Sequence, residues 1–301
     1  MKRITILLVL AALLAVPAGA LSVKKKSIRR VAQNAQVTTT TTTTNAAASD
    51  YYKAIRAYEN DELDLAERLM KKHLSKTPND ADAWVTLGGI YGENNMPEQA
   101  LEALNRARQC RIDPNDTELL NLLYYTRSGV DLQLNDTQSA IDDLSMALRY
   151  DPSDVYSYFR RANLYNKLKR YDEALVDYGM IVQYEPEELQ GYLGIGTVSG
   201  SLKNRPAAIR AYTKAIQIEP ERAESYALRA VEYYNDEDYE KSAKDIISAL
   251  ERDRDNARAL WVLDYIKEDM KEDKDTFKEV TKIFKDKAKK SKDPSWLDLL
   301  R

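Results

Sequence analysis

Tyr124, Tyr158, Tyr192 and Tyr226 recur at an unbroken spacing of 34 residues, and each is followed four places later by a small residue: Ser128, Ala162, Gly196 and Ala230. Ala140, Ala174, Ala208 and Ser242 stand sixteen places after those tyrosines, and Pro152, Pro186 and Pro220 close the first three units. A single helix or strand has no such period. It marks one helical hairpin, repeated, whose apolar face is buried only against its neighbours.

The stretch from Tyr156 to Pro186, YSYFRRANLYNKLKRYDEALVDYGMIVQYEP, resembles the tetratricopeptide repeat family. The resemblance implies two antiparallel helices per unit that cross at Ala162 and Ala174. Tyr158, Tyr165, Tyr171 and Tyr178 would fill the space around the crossing, and Pro186 would stop the second helix. The expected fold is therefore all-α: a right-handed α-solenoid of about six tetratricopeptide-type helix-turn-helix repeats with a C-terminal capping helix. Repeats fall at 47–80, 81–114, 121–154, 155–188, 189–222 and 223–256. The first keeps Ala54, Ala66 and Pro78 but carries Asp50 in place of an aromatic, as suits a terminal unit with one wet face. Between Ala100 and Ala140 the spacing stretches to 40, which predicts a longer first helix in the third repeat, capped near Asp116. Residues 257–301 read as a degenerate repeat, a capping helix with Phe277, Val280, Ile283 and Phe284 on one stripe, and an apolar tail from Trp296 that packs on the last helices.

Residues 1–20 read as a secretory signal peptide. Lys2 and Arg3 precede an apolar run from Ile4 to Val16, shorter than a spanning helix needs, and Ala18 and Ala20 offer a cleavage site. The expected destination is periplasmic or secreted. Residues 21–49 read as a linker, with Lys24, Lys25, Lys26, Arg29 and Arg30 followed by an unbroken threonine run from Thr38 to Thr44. Membrane contact is expected to be peripheral at most, through that basic cluster and anionic headgroups. The formal net charge is −3 and the Lys and Arg residues are dispersed, so no basic stripe is available for nucleic acid. Cys110 is the only cysteine, which rules out an internal disulfide.

Chemistry is scarce. The one histidine, His73, stands where neighbouring repeats carry Ala107 and Ala147, and is read as packing. Catalysis by Cys110 with His73 lacks an orienting third group. Gly194, Gly196 and Gly200 are spaced too widely for a dinucleotide loop and no strand precedes them, so they belong to a helix. The abundant carboxylates serve solubility and helix ends. The expectation is no catalytic residue, no metal, no cofactor and no enzyme activity.

The repeats compare themselves. Three places after each anchoring tyrosine stand Arg127, Arg161, Ile195 and Arg229; nineteen places after it stand Asp143, Asp177, Ala211 and Asp245. Arginine and aspartate occur together or not at all. The correlation predicts structural pairs between the two helices of one hairpin: Arg127 with Asp143, Arg161 with Asp177, and Arg229 with Asp245.

In the resembled family the first helices of successive repeats line a concave groove. The resemblance places Tyr125, Leu132, Tyr156, Phe159 and Leu193 on its apolar floor, together with Val85 and Leu122. Asn163, Asn166, Lys167 and Thr197 are its polar positions, with Gln133, Gln190 and Asn235. Asn163 matches a place where family members clamp a peptide backbone. The set that grips a terminal carboxylate in the family's chaperone-binding subgroup is absent, since Phe159, Gly194, Glu224 and Leu228 occupy those places. Tyr125, Tyr156 and Phe159, taken as exposed, favour a ligand with apolar or ring-bearing side chains, or a partner helix. The expected function is an exported adaptor or scaffold that binds a protein or peptide. The alternative is a structural component of an envelope complex that self-associates through its solenoid or C-terminal tail.

Overall fold

A computed structural model of the protein describes residues 45–269 and 274–300. The signal-peptide reading, the basic cluster and the threonine run all lie outside these residues. Every regular element among the described residues is α-helical. No described helix is long and apolar enough to cross a membrane.

The chain divides into two units, the first ending at Leu168 and the second beginning at Lys169. In the first unit α1 (Asn45–Glu59) pairs with α2 (Leu63–Leu74), α3 (Ala81–Glu93) with α4 (Pro97–Gln109), and α5 (Thr117–Gln133) with α6 (Thr137–Tyr150); α7 (Val155–Lys167) then packs on α6. The first helix begins at Asn45, so the helical body starts inside the segment read as linker. Helix α5 has 17 residues against 13 in α3, and the Asp116 carboxylate caps it by accepting from the Leu119 amide at 3.1 Å. The six extra residues are thus shared between a longer helix and the loop before it.

In the second unit α8 (Tyr171–Tyr184) packs on α9 (Leu189–Ser201), which pairs with α10 (Arg205–Ile218). Helix α11 (Ala223–Asn235) pairs with α12 (Tyr239–Arg252), and α13 (Ala257–Asp269) packs on both. Helix α14 (Lys274–Ser291) lies against α12 and is followed by the short α15 (Ser295–Asp298). Val280 and Phe284 are buried from the α14 side, and Trp296 is buried beside Phe284, so the apolar tail is used in closing its own unit.

Helices approach closely where the period puts small residues. Ala54, Ala66, Ala100, Ala140, Ala162, Ala174, Ala208 and Ala230 are each 0% exposed. With no side chain beyond Cβ in the way, facing backbones are free to approach more closely than larger residues would allow.

The turns within hairpins repeat too. Asp61, Asn95, Asn135, Lys169, Lys203 and Glu237 all have φ between 57° and 63°, and none of them is glycine. Each ends a first helix in the left-handed region. Around Asn95, Asn135, Lys203 and Glu237 the next amide reaches back to close the turn: Met96 to the Tyr91 carbonyl at 2.9 Å, Asp136 to Asp131 at 2.8 Å, Asn204 to Ser199 at 2.8 Å and Asp238 to Tyr233 at 2.9 Å. This double-bonded helix ending satisfies carbonyls that would otherwise be orphaned. The following residue then starts the second helix, and Asp136, Asn204 and Asp238 each cap it by accepting from the amide three residues on.

Candidate functional site

The arginine and aspartate positions meet across the hairpins. Arg229 donates from Nε and Nη2 to the two carboxylate oxygens of Asp245 at 2.7 and 2.8 Å. Arg127 makes the same two-pronged contact with Asp143. Burial raises the Asp245 pKa, and the Arg229 charge opposes it. Arg161 and Asp177 belong to different units, so their pairing stays a prediction.

The guanidinium groups do more than the sequence reading assigned them. Arg229 Nη1 donates to Thr213 Oγ1 at 2.9 Å, and Arg161 Nη1 donates to Ser145 Oγ at 2.9 Å. In both cases the hydroxyl lies sixteen residues earlier, on the second helix of the preceding hairpin. The arginine therefore ties two hairpins together while its fork serves its own. Its plane also lies near the anchoring ring: Arg229 is 6.0 Å from Tyr226 and 5.8 Å from Tyr233, and Arg161 is 5.8 Å from both Tyr158 and Tyr165. Where Ile195 replaces the arginine, Ala211 replaces the aspartate and Gly179 replaces the hydroxyl.

The groove positions separate by burial. Tyr125 and Phe159, expected to be exposed, are 6% and 8% exposed. For Tyr125 the cause is Arg160 of the next first helix, whose guanidinium lies 4.1 Å from the ring centroid and whose Nη1 donates to the Tyr125 carbonyl at 3.3 Å. Leu193 is buried in a cluster with Ala208, Tyr212 and Leu228. The Thr197 hydroxyl is buried 3.3 Å from that of Tyr212. Asn166 is buried as well. Leu132, Tyr156 and Asn163 are half-buried, and Lys167 is exposed. Of the nine expected contact residues, these four keep solvent-accessible surface.

A second group on first helices escaped the sequence reading. Trp261 and Tyr265 on α13 have ring centroids 4.5 Å apart, and Tyr265 lies 6.3 Å edge-on from Tyr234 on α11. The Tyr234 hydroxyl donates to Asp269 Oδ2 at 2.6 Å. All three rings are half-buried. The periodic offsets contain the signal: Trp261 falls 102 residues after Phe159, Tyr265 102 after Asn163, and Tyr234 68 after Asn166. The sequence reading stopped the groove at Asn235, one helix short.

Residues with chemical potential are spent on structure. His73 is buried, with Nε2 2.7 Å from Asp80 Oδ2 and 2.9 Å from Thr77 Oγ1. The Cys110 thiol donates to the Arg106 carbonyl at 3.3 Å just past the end of α4, and burial together with the Asp80 charge raises its pKa, the reverse of an activated nucleophile. Gly194, Gly196 and Gly200 lie inside α9. Among the described residues no group of three or more His, Cys, Asp or Glu is placed to hold a metal ion.

Antiparallel helical hairpins in series, joined by like turns and by arginines that reach from one hairpin to the one before, define a repeat protein of the α-solenoid class. Residues 144–176 match the family model of the tetratricopeptide repeat. That segment is a tetratricopeptide repeat, and the same helical-hairpin plan is carried through both units. Solved structures share the fold at low identity. PilW, a widely conserved type IV pilus biogenesis factor, superposes with a TM-score of 0.58 at 13% identity over 73% of this chain and 100% of its own. MamA from Desulfovibrio magneticus RS-1 gives 0.52 at 20% identity over 58% and 96%, and another MamA structure gives 0.51 at 22% over 59% and 94%. At these identities the likeness speaks to fold alone. No curated protein matches the chain.

Proposed function

We propose that this chain is an exported, non-catalytic adaptor or scaffold that holds a protein or peptide partner on the first-helix face of its repeats. One observation carries the reading: the first helices of each unit keep half-buried aromatic or amide side chains, Tyr156 and Asn163 on α7 in the first and Tyr234, Trp261 and Tyr265 on α11 and α13 in the second. Rigid half-exposed rings beside amides that both donate and accept are the usual means of gripping an extended chain or a helix. Export rests on the apolar run from Ile4 to Val16, and places the partner in the periplasm or outside the cell. Of the alternative, self-association through the solenoid or the C-terminal tail, the tail route is weakened because Trp296 is 4% exposed and already packed.

The test is affinity capture from an envelope extract with the wild-type chain and with Tyr156→Ala/Asn163→Ala. Phe159 is left intact, because truncating a buried ring would unsettle the fold itself. The expected result is a discrete captured protein that the double variant loses while keeping its helical melting curve. Equal capture by both proteins would remove this face from the function.

A further inference from the structure

The C-terminal ends of two neighbouring first helices meet beside the Trp261, Tyr265 and Tyr234 rings. Tyr234 stands in the last turn of α11 and Asp269 in the last turn of α13, and their 2.6 Å hydrogen bond fixes the two ends side by side. Each helix directs the negative end of its dipole here, so two adjacent ends favour a cation. Side chains add to that field. From Asp264 to Asp269 on α13 there are three carboxylates and one lysine.

The rings themselves present electron-rich faces. Elsewhere this chain habitually places its own cations on its aromatics: Arg160 at 4.1 Å from Tyr125, Arg252 at 4.4 Å from Tyr226, Arg254 at 4.1 Å from Trp296 and Lys241 at 5.5 Å from Tyr233. Among the described residues no lysine or arginine lies over Trp261, Tyr265 or Tyr234. Among the described residues the nearby cations are engaged elsewhere. Arg258, at the opposite end of α13, donates to Glu224 at 2.8 Å, and Lys267 contacts Asp264 at 2.9 Å and the Leu299 carbonyl at 3.3 Å.

We propose that this corner of α11 and α13 seats an arginine side chain of the partner polypeptide, stacked on the Trp261 and Tyr265 rings with its charge turned to Asp269. The inference rests on the proposed function and names the chemistry of the partner: a basic segment. Arginine suits the seat better than lysine, because a planar guanidinium stacks on a ring and forks onto a carboxylate at the same time.

The experiment measures fluorescence anisotropy of a labelled, end-capped hexapeptide, Gly-Arg-Gly-Arg-Gly-Arg, with the full chain, beside counterparts carrying lysine or glutamine at each arginine. The arginine peptide is expected to bind tighter than the lysine peptide, and the glutamine peptide about tenfold or more weaker. Asp269→Asn and Trp261→Leu should each weaken the arginine peptide by about five- to tenfold. Asp172→Asn, which removes an exposed carboxylate on α8, should leave binding unchanged. Equal binding of the glutamine peptide would overturn the proposal, as would equal losses from Asp172→Asn and Asp269→Asn. Asp269 is exposed, so its amide variant is expected to keep the fold even where Trp261→Leu does not. The two readings fail separately. Partner capture that depends on Tyr156 and Asn163, without any arginine preference, sinks only this inference; an Asp269-dependent arginine site in a chain that captures nothing sinks only the adaptor reading.

Discussion

At the scale of single residues, the Arg229 guanidinium shows how a charge is kept in a packed crossing. Its side chain is 16% exposed and that of Asp245 8%, so neither is well solvated; each offsets the other's desolvation, and Thr213 takes a further proton. Arg229→Met alone is expected to lower stability by about 3 kcal/mol, because Asp245 is left charged without its partner. Adding Asp245→Leu should restore most of the loss, and urea denaturation of the two singles and the double completes the cycle. Simple additivity would mean that the two groups do not act as a pair. The chain contains its own version of the double replacement, since Ile195 and Ala211 occupy these places in the fifth repeat.

Among the elements, α9 is the one whose composition misleads. Four glycines in thirteen residues would weaken a free helix by roughly 1 kcal/mol each, and by propensity alone alanine at any of them should help. Packing reverses the sign. A Cβ on Gly194 would lie 2.3 Å from the Tyr178 ring, and one on Gly196 would lie 2.4 Å from the Tyr212 ring. Both rings are enclosed, at 0% and 2% exposure, and have no room to retreat. Gly194→Ala and Gly196→Ala are therefore expected to destabilise by about 1–3 kcal/mol. On α8, Gly179 faces open space, and Gly179→Ala should stabilise by about 1 kcal/mol. Thermal melts of the three variants check this; a gain in all three would show that propensity, not ring packing, governs these helices.

For the molecule as a whole, the burial of carboxyl groups sets the pH response. Burial raises the pKa of Asp82, Asp131 and Glu232 to about 7, with nearby carboxylates adding to the shift of Asp82 and Asp131, while Arg205 opposes that of Glu232. The native state thus holds protons that the unfolded chain has released between about pH 4.5 and 7, and stability must fall as pH rises through that window. Asp50, Asp136 and Asp238 have lowered pKa values, and what they contribute is lost on acidification below about pH 4. Greatest stability is expected near pH 5, with a lower melting temperature at pH 8. Glu232→Gln should flatten the fall on the alkaline side; an unchanged slope would place its cause elsewhere.

Much of this was legible in the order of residues, and the parts that were not share a cause. The 34-residue period, the alanine crossings, the cap at Asp116 and the co-occurrence of arginine with aspartate are relations within one hairpin, or between identical hairpins. Local spacing determines them wherever the chain folds as helices. The left-handed turns left little trace, because Lys203 and Glu237 carry none of the glycine that usually announces such a turn. Which face residues stay open was decided only by stacking one hairpin on the next. In the first unit Arg160 closes over Tyr125 from a neighbouring helix, whereas in the second Trp261, Tyr265 and Tyr234 meet with no arginine above them among the described residues. Exposure belongs to a pair of elements at their mutual distance and angle, and a periodic sequence specifies each element long before it specifies what lies across from it.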